Sequence, residues 1–182
     1  FSDWIRGRVE RVELTGKNVR YDGTRYEELN IVLPNIVYSV SSKRITECDN
    51  GFFKASLTEK EINRIAAENA KKGESLEIEL REGSLEAVAV KKVLGVSVKA
   101  RAEGTLSIKN GSSVWFDPKK IDIPGIKVSL KGWTKDAVSG SINPVYTLDT
   151  SKNGLYLSKV ACKKGRLRVE GNIKSEVLLR NQ

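Results

Sequence analysis

Histidine is absent from this chain of 182 residues, and several chemical signatures are absent with it. Without histidine the sequence cannot form a Ser-His-Asp or Cys-His catalytic group, an H-E-x-x-H zinc motif or the usual His-ligated metal sites. It also lacks the G-x-x-x-x-G-K-[ST] and G-x-G-x-x-G phosphate-binding loops. Glu77 and Glu79 could form a carboxylate pair, but their position on the polar side of a predicted strand favours solvation. We therefore predict a protein without enzymatic activity, cofactor or metal.

Cysteine is scarce, because the chain has only Cys48 and Cys162, which are far apart and form no C-x-x-C motif. This spacing disfavours a zinc or thioredoxin-type site. The two residues either form one disulfide or remain independent thiols that pack as small core side chains. The sequence leaves both alternatives open and favours independent thiols.

Long hydrophobic runs are lacking too, since no apolar stretch approaches the roughly 20 residues of a membrane-spanning helix. Positive charge is in excess: 32 Lys and Arg residues against 23 Asp and Glu give a formal net charge of +9. This charge favours nucleic acid, anionic lipid headgroups or acidic polymers as partners. Because the basic residues are spread over the chain, a solvated Lys-rich surface explains the charge equally well.

Aromatic residues are few, at 7% of the sequence. A binder of single-stranded nucleic acid needs aromatic and basic side chains together on one exposed sheet face. The aromatic residues here do not recur at alternate positions beside Arg or Lys on one strand. We therefore expect no nucleic-acid partner.

The residues around Trp133 bear on membrane binding. Trp133 lies between Lys131 and Lys135, directly after a glycine. A Trp flanked by lysines suits the headgroup boundary of an anionic membrane, so these three residues are candidate membrane contacts. The alternative, which the sequence favours, is a turn with a locally packed indole.

The segment 56–73 carries the one convincing helix pattern in the chain. Thr58 suits an N-cap, and Glu61 completes a capping box three residues later. Leu57 and Ile62 are placed on either side of the helix start for a hydrophobic staple. Gly73 is the predicted end. The apolar stripe consists of Ile62, Ile65, Ala66 and Ala70. This stripe must be buried against a sheet.

Period-two alternation is clearest over residues 96–109, which predicts one long, curved strand. Its inner face is small at Ala100, Ala102 and Gly104, so that a helix or a ligand could approach closely, and Gly104 is the predicted bend. The sequence Asn110-Gly111 predicts a hairpin that pairs residues 114–116 with residues 106–108.

Other turn signals complete the pattern. Gly16 and Asn18 predict a turn, and Asp49-Asn50-Gly51 predicts a hairpin between residues 45–48 and 52–55. A last hairpin is predicted around residues 163–165. The fold class is thus α+β, mostly β, with a long, strongly curved antiparallel sheet wrapped around one amphipathic helix.

Several stretches, taken in order, resemble the bacterial LmeA-like phospholipid-binding family, which is similar to the tubular lipid-binding superfamily that includes bactericidal permeability-increasing protein. Residues 4–14 (WIRGRVERVEL) resemble its opening strand, residues 26–33 (YEELNIVL) its second strand and residues 57–63 (LTEKEIN) its helix start. Residues 142–144 (INP), 154–160 (GLYLSKV) and 165–171 (GRLRVEG) resemble its closing hairpin. The chain begins almost at the opening motif, so we expect a single domain over residues 1–182 that lacks the family's leading helix and strand.

The resemblance implies a tube-like domain that binds phospholipid or another acyl ligand in an apolar slot between sheet and helix, without catalysis. It also implies an extracytoplasmic location in the bacterial cell envelope and contact with an anionic membrane surface. Homo-oligomer formation is left open. The candidate slot residues are Ile62, Ile65, Ala66, Val98, Ala100, Ala102 and Leu106.

Two alternatives remain. In the first, the same residues form a dry core, and the chain is a fully packed structural or adaptor β-domain. In the second, less favoured, the chain is a basic module that binds single-stranded nucleic acid.

Overall fold

A computed structural model describes residues 7–70, 74–93, 96–124, 142–149 and 154–180 of the chain. The elements traced within these ranges are two antiparallel sheets and two helices. The elements are β1 (Arg8–Tyr21), β2 (Thr24–Ser39), β3 (Arg44–Glu47), β4 (Gly51–Thr58), α1 (Glu59–Asn69), β5 (Glu74–Arg81), β6 (Ser84–Val93), β7 (Val96–Lys109), β8 (Ser113–Asp122), β9 (Tyr146–Thr147), β10 (Leu155–Lys163), β11 (Arg166–Ile173) and α2 (Ser175–Arg180). The predicted fold class, α+β and mostly β, is confirmed.

The strands divide into two sheets. Sheet A has the order β1-β2-β4-β11-β10, with β3 also paired to β2, and sheet B has the order β5-β6-β7-β8-β9. Sheet B is strongly curled into a half-barrel. Backbone hydrogen bonds join the turns of one sheet to the strands of the other: Leu157 N–H donates to the Gly111 carbonyl (2.7 Å) and Gly165 N–H to the Leu80 carbonyl (2.9 Å).

Helix α1 begins where the sequence predicts. The Thr58 hydroxyl accepts a hydrogen bond from the Glu61 N–H (3.2 Å), which confirms the N-cap. Leu57 and Ile62, the predicted staple, are both fully buried. The helix ends at Asn69, earlier than the predicted stop at Gly73, because Ala70 has an extended backbone with ψ of 138°.

Two turn predictions are wrong, and in both cases pairing with β2 replaces the predicted turn. β1 continues through Gly16 and Asn18 as one strand of 14 residues, and Asn18 adopts a left-handed φ of 54° inside it. Strands β3 and β4 do not form a hairpin, since β3 pairs with residues 37–39 of β2 and β4 with residues 28–32. One strand of 16 residues thus accommodates both partners.

Strand β7 has the predicted bend at Gly104. The register with β8 shifts between Glu103 and Gly104, which is a β-bulge. The close approach that glycine permits is to the neighbouring strand, because a Cβ at Gly104 would overlap the carbonyl of Asp117. The hairpin at residues 110–111 is confirmed by the pairs Leu106–Phe116 and Ile108–Val114.

The core fills the space between the two sheets and beneath α1. Its largest fully buried side chains are Phe116, Leu57, Ile62, Ile78, Leu80, Leu85, Leu167, Val114 and Val169. Both cysteines are free thiols, Cys48 partly exposed and Cys162 buried, so the disulfide alternative is excluded. Among the described residues, no helix combines the length and apolar character needed to cross a membrane.

Candidate functional site

The inner face of curled sheet B is apolar and closed at its centre. The row that crosses four adjacent strands there consists of Ile78, Ala87, Ala102 and Ile121, and all four are buried. Two of the four are alanines, so this part of the sheet lies close to the elements packed over it. The centre of the sheet therefore belongs to the packed core.

The same face becomes accessible at one end. The next row, Leu76, Ala89 and Ala100, is only partly buried, and Val98 lies one pair further along β7. We call these four residues the open apolar end. Apolar side chains that stay partly accessible beside a closed core provide a surface on which further apolar groups can be buried.

Helix α1 is attached to the free edge of β5 by two side chains. Asn63 Nδ2 donates to the Ile78 carbonyl (2.7 Å), and Ile78 N–H donates to Asn63 Oδ1 (2.7 Å). One turn earlier, Leu80 N–H donates to Glu59 Oε2 (2.7 Å). The helix therefore stands where another strand of sheet B would pair.

These attachments also set the direction of the helix. As α1 advances from Glu59 to Asn63, its partners on β5 move from Leu80 to Ile78. The following turn, with Ile65 and Ala66, lies toward the open apolar end, and both residues are partly buried against the core.

The predicted slot residues lie at different depths. Ile62 and Ala102 are buried, at 0% and 1% exposure. The residues that are partly buried are Ile65, Ala66, Val98, Ala100 and Leu106. Leu106 lies beyond the bulge at Gly104, about 26 Å along β7 from Val98 at roughly 3.3 Å per residue. The structure thus groups Ile65, Ala66, Val98 and Ala100 at one end and separates Leu106 from them.

The candidate membrane contacts Lys131, Trp133 and Lys135 lie outside the described residues. They stay a prediction from the sequence.

The core contains a buried tyrosine pair that the sequence analysis did not predict. The hydroxyl oxygens of Tyr26 and Tyr146 are 2.7 Å apart, and both side chains are buried. Burial raises the pKa of Tyr26 and of Tyr146 above the usual value, so both rings stay neutral. Because 120 positions separate the two residues, no local pattern could reveal the pair.

A second asparagine clamps the other side of sheet B. Phe116 N–H donates to Asn143 Oδ1 (2.6 Å), and Asn143 Nδ2 donates to the Phe116 carbonyl (2.9 Å). Within the described residues β9 pairs with Ser113 and Val114 of β8, and Asn143 satisfies the backbone of Phe116 just beyond that pairing. Both free borders of the curled sheet are therefore covered by an asparagine side chain.

The ion pair between Glu61 and Arg64 connects α1 to the start of β2. The Arg64 guanidinium donates to both carboxylate oxygens of Glu61 (2.6 and 3.0 Å), which holds the pKa of that carboxyl below its usual range. Glu61 Oε1 also accepts the Arg25 backbone N–H (2.9 Å). Within the described ranges, His, Cys, Asp and Glu residues form no group of three or more suited to a metal ion.

Comparison with known proteins identifies the family of this chain. The family model described as LmeA-like phospholipid-binding matches residues 1–172. This chain belongs to the LmeA-like phospholipid-binding family. No curated protein and no solved structure matches the chain. The family membership indicates lipid binding, and the resemblance noted in the sequence motifs is confirmed.

Proposed function

We propose that this member of the LmeA-like family binds a phospholipid or another acyl lipid at the open apolar end, without catalysing a reaction. The observation that carries the proposal is the partly accessible apolar row Leu76, Ala89 and Ala100 in a chain of a phospholipid-binding family. The acyl chain lies on this row and on Val98, beside the second half of α1.

The physical basis is burial of hydrocarbon. Each CH₂ group removed from water contributes about 0.8 kcal/mol, so part of one acyl chain suffices for useful affinity without a polar contact. Ala89 and Ala100 leave more room than larger residues would. The fully buried Ile62 and Ala102 form the wall behind the ligand rather than its contact surface.

The proposed setting is the extracytoplasmic face of the bacterial cell envelope, where a single domain of this kind meets an anionic membrane. A net charge of +9 supports attraction to such a surface. Trp133, flanked by Lys131 and Lys135, is the proposed segment that enters the headgroup region.

The test is direct. The chain is expressed, purified without detergent and analysed by native mass spectrometry and by lipid extraction. We expect a bound phospholipid that co-purifies in stoichiometric amount. A protein free of lipid that also fails to take up phospholipid from vesicles would refute acyl binding and would favour a fully packed structural domain.

A further inference from the structure

A second concave site, unrelated to the open apolar end, lies where the turn between β1 and β2 meets the first turn of α1. It has a volume of about 610 Å³, which falls within the range of roughly 300–1,000 Å³ for small-molecule sites. Its lining residues are Asn18, Arg20, Gly23, Arg25, Glu27, Thr58, Lys60, Glu61 and Arg64. We call it the basic pocket.

Each of the two carboxylates of the basic pocket has an arginine partner. Glu61 accepts hydrogen bonds from Nε and Nη2 of Arg64, whose remaining nitrogen, Nη1, binds Glu68. Glu27 Oε2 lies 2.7 Å from Arg166 Nε, a residue of β11 outside the pocket lining. Arg20 also helps to lower the pKa of Glu61 through its charge. The lining as a whole has four cations, Arg20, Arg25, Lys60 and Arg64, against two carboxylates, and so carries a net charge of +2.

Three of the four cations have no direct ion pair among the described residues. Arg20 and Lys60 are exposed, and neither side chain forms a hydrogen bond or ion pair within the described part of the chain. The Arg25 guanidinium donates to a neutral oxygen, Asn18 Oδ1 (3.2 Å). Three like charges around one cavity repel one another, and a bound anion relieves that repulsion.

Ligand chemistry follows from these groups. Arginine offers a planar fork of N–H donors that matches the oxygens of a phosphate, and lysine adds a point charge. The first turn of α1, which forms one wall through Thr58 and Lys60, contributes the positive end of the helix dipole. We propose that the basic pocket binds a phosphate group, which Arg20, Arg25 and Lys60 contact directly.

The basic pocket is independent of the acyl proposal in position. Asn63 and Glu59 face β5 on one flank of α1, whereas Glu61 and Arg64 face Arg25 and Gly23 on the other. The phosphate has two chemical sources, the headgroup of a membrane phospholipid and a soluble phosphate compound.

The experiment compares two double variants of the full chain that each remove two positive charges. R20Q/K60Q removes the exposed cations of the pocket, and K119Q/K120Q removes two exposed lysines of β8 on the other sheet. Both should fold, because these side chains are at the surface, and circular dichroism checks this. Binding is measured with inorganic phosphate by titration calorimetry. It is also measured by sedimentation with phosphatidylglycerol-containing vesicles and with pure phosphatidylcholine vesicles.

We expect R20Q/K60Q to weaken the affinity for the phosphate-bearing probe on the order of a hundredfold, roughly tenfold for each charged contact. We expect K119Q/K120Q to change the same affinity less than about threefold. If R20Q/K60Q loses binding of inorganic phosphate and K119Q/K120Q does not, the result supports a soluble ligand. Loss confined to phosphatidylglycerol vesicles supports a headgroup. The proposal is overturned if the wild-type chain binds neither probe, or if the two double variants lose binding equally. Lipid extraction from R20Q/K60Q keeps the two proposals separate, since acyl binding should survive in it.

Discussion

Asn63 and Ile78 are joined by two hydrogen bonds of 2.7 Å, in which one side-chain amide satisfies both the N–H and the carbonyl of a strand residue. An amide side chain thereby imitates the backbone of a neighbouring strand. Because β5 borders sheet B, its polar backbone groups would otherwise offer a template for another chain. The same bonds keep α1 beside the open apolar end.

Replacing Asn63 should therefore destabilise the fold. We expect Asn63→Ala to lower the free energy of unfolding by about 2–3 kcal/mol, since three hydrogen bonds of about 1 kcal/mol each are lost, two to Ile78 and one to the Glu59 carbonyl. Chemical denaturation measures this change. The control is Asn30→Ala, because within the described residues the Asn30 amide donates to the exposed side chains of Glu13 and Thr15 alone. This variant should lower the free energy of unfolding by less than about 0.5 kcal/mol. Equal losses in the two variants would contradict the role assigned to Asn63.

Local signals were sufficient for the helix and for several hairpins. The start of α1 depends on Thr58 and Glu61, three positions apart, and the hairpin at residues 110–111 depends on two adjacent residues. The pairing of β2 with both β3 and β4 depends on contacts across the sheet. Asp49-Asn50-Gly51 has the composition of a hairpin turn, but the preference of β2 for both neighbours overrides it.

The site was predictable only in part, for the same reason. Alternation on β7 placed Val98 and Ala100 on the apolar face, and helical spacing placed Ile65 and Ala66 on the apolar stripe. The distance between Val98 and Leu106 follows from their eight positions along one strand. The burial of Ala102 between them depends on the neighbouring strands, which the sequence alone does not show. The asparagine clamps and the tyrosine pair join distant positions and carry no local signal.

The buried hydroxyl pair offers a second prediction. Tyr26→Phe or Tyr146→Phe should each lower the free energy of unfolding by about 1–2 kcal/mol, because the remaining hydroxyl loses its buried partner. In the double variant no hydroxyl is left unpaired, so its loss should be smaller than the sum of the two. Urea denaturation of the four proteins measures the coupling. Strict additivity would show that the hydroxyls do not interact.

The same pair predicts alkaline sensitivity. Burial raises the pKa of both tyrosines above the ordinary value of 10.0. Above pH 10 the unfolded chain therefore releases these protons while the folded chain retains them, and the free energy of unfolding falls as the pH rises. Below that pH both states are protonated and the pair contributes no pH dependence. The variant Tyr26→Phe/Tyr146→Phe should have a shallower alkaline limb in denaturation series, and an unchanged limb would refute the assignment.

The two free thiols should differ in reactivity. Burial raises the pKa of Cys162 to about 11, and its side chain is only 5% exposed. Cys48 is partly exposed, although burial and Asp49 also raise its pKa. Since the thiolate is the reactive form, a thiol reagent at pH 8 should label Cys48 first and Cys162 only after denaturant is added. Peptide mass spectrometry identifies the labelled site, and early labelling of Cys162 would contradict its burial.

The open apolar end can be tested by filling it. Ala100 is partly buried on the inner face of β7, so the indole of Ala100→Trp would occupy the surface proposed for the acyl chain. Ala102 is a poorer choice, because it is fully buried between Ala87 and Ile121 and a large side chain there would disrupt the core. We expect Ala100→Trp to reduce co-purified phospholipid at least tenfold while the circular dichroism spectrum is retained.

The matched control is Ser97→Trp, which adds the same indole to an exposed position of the same strand, an odd number of residues away and hence on the opposite face. It should retain wild-type lipid content in native mass spectrometry. Displacing one acyl segment of about five CH₂ groups removes roughly 4 kcal/mol of hydrophobic contribution, which is more than a tryptophan on the outer face can change. If Ala100→Trp folds and still carries full lipid, the acyl chain binds elsewhere. If Ala100→Trp and Ser97→Trp lose lipid equally, the loss comes from disturbing β7 in general and not from filling its inner face.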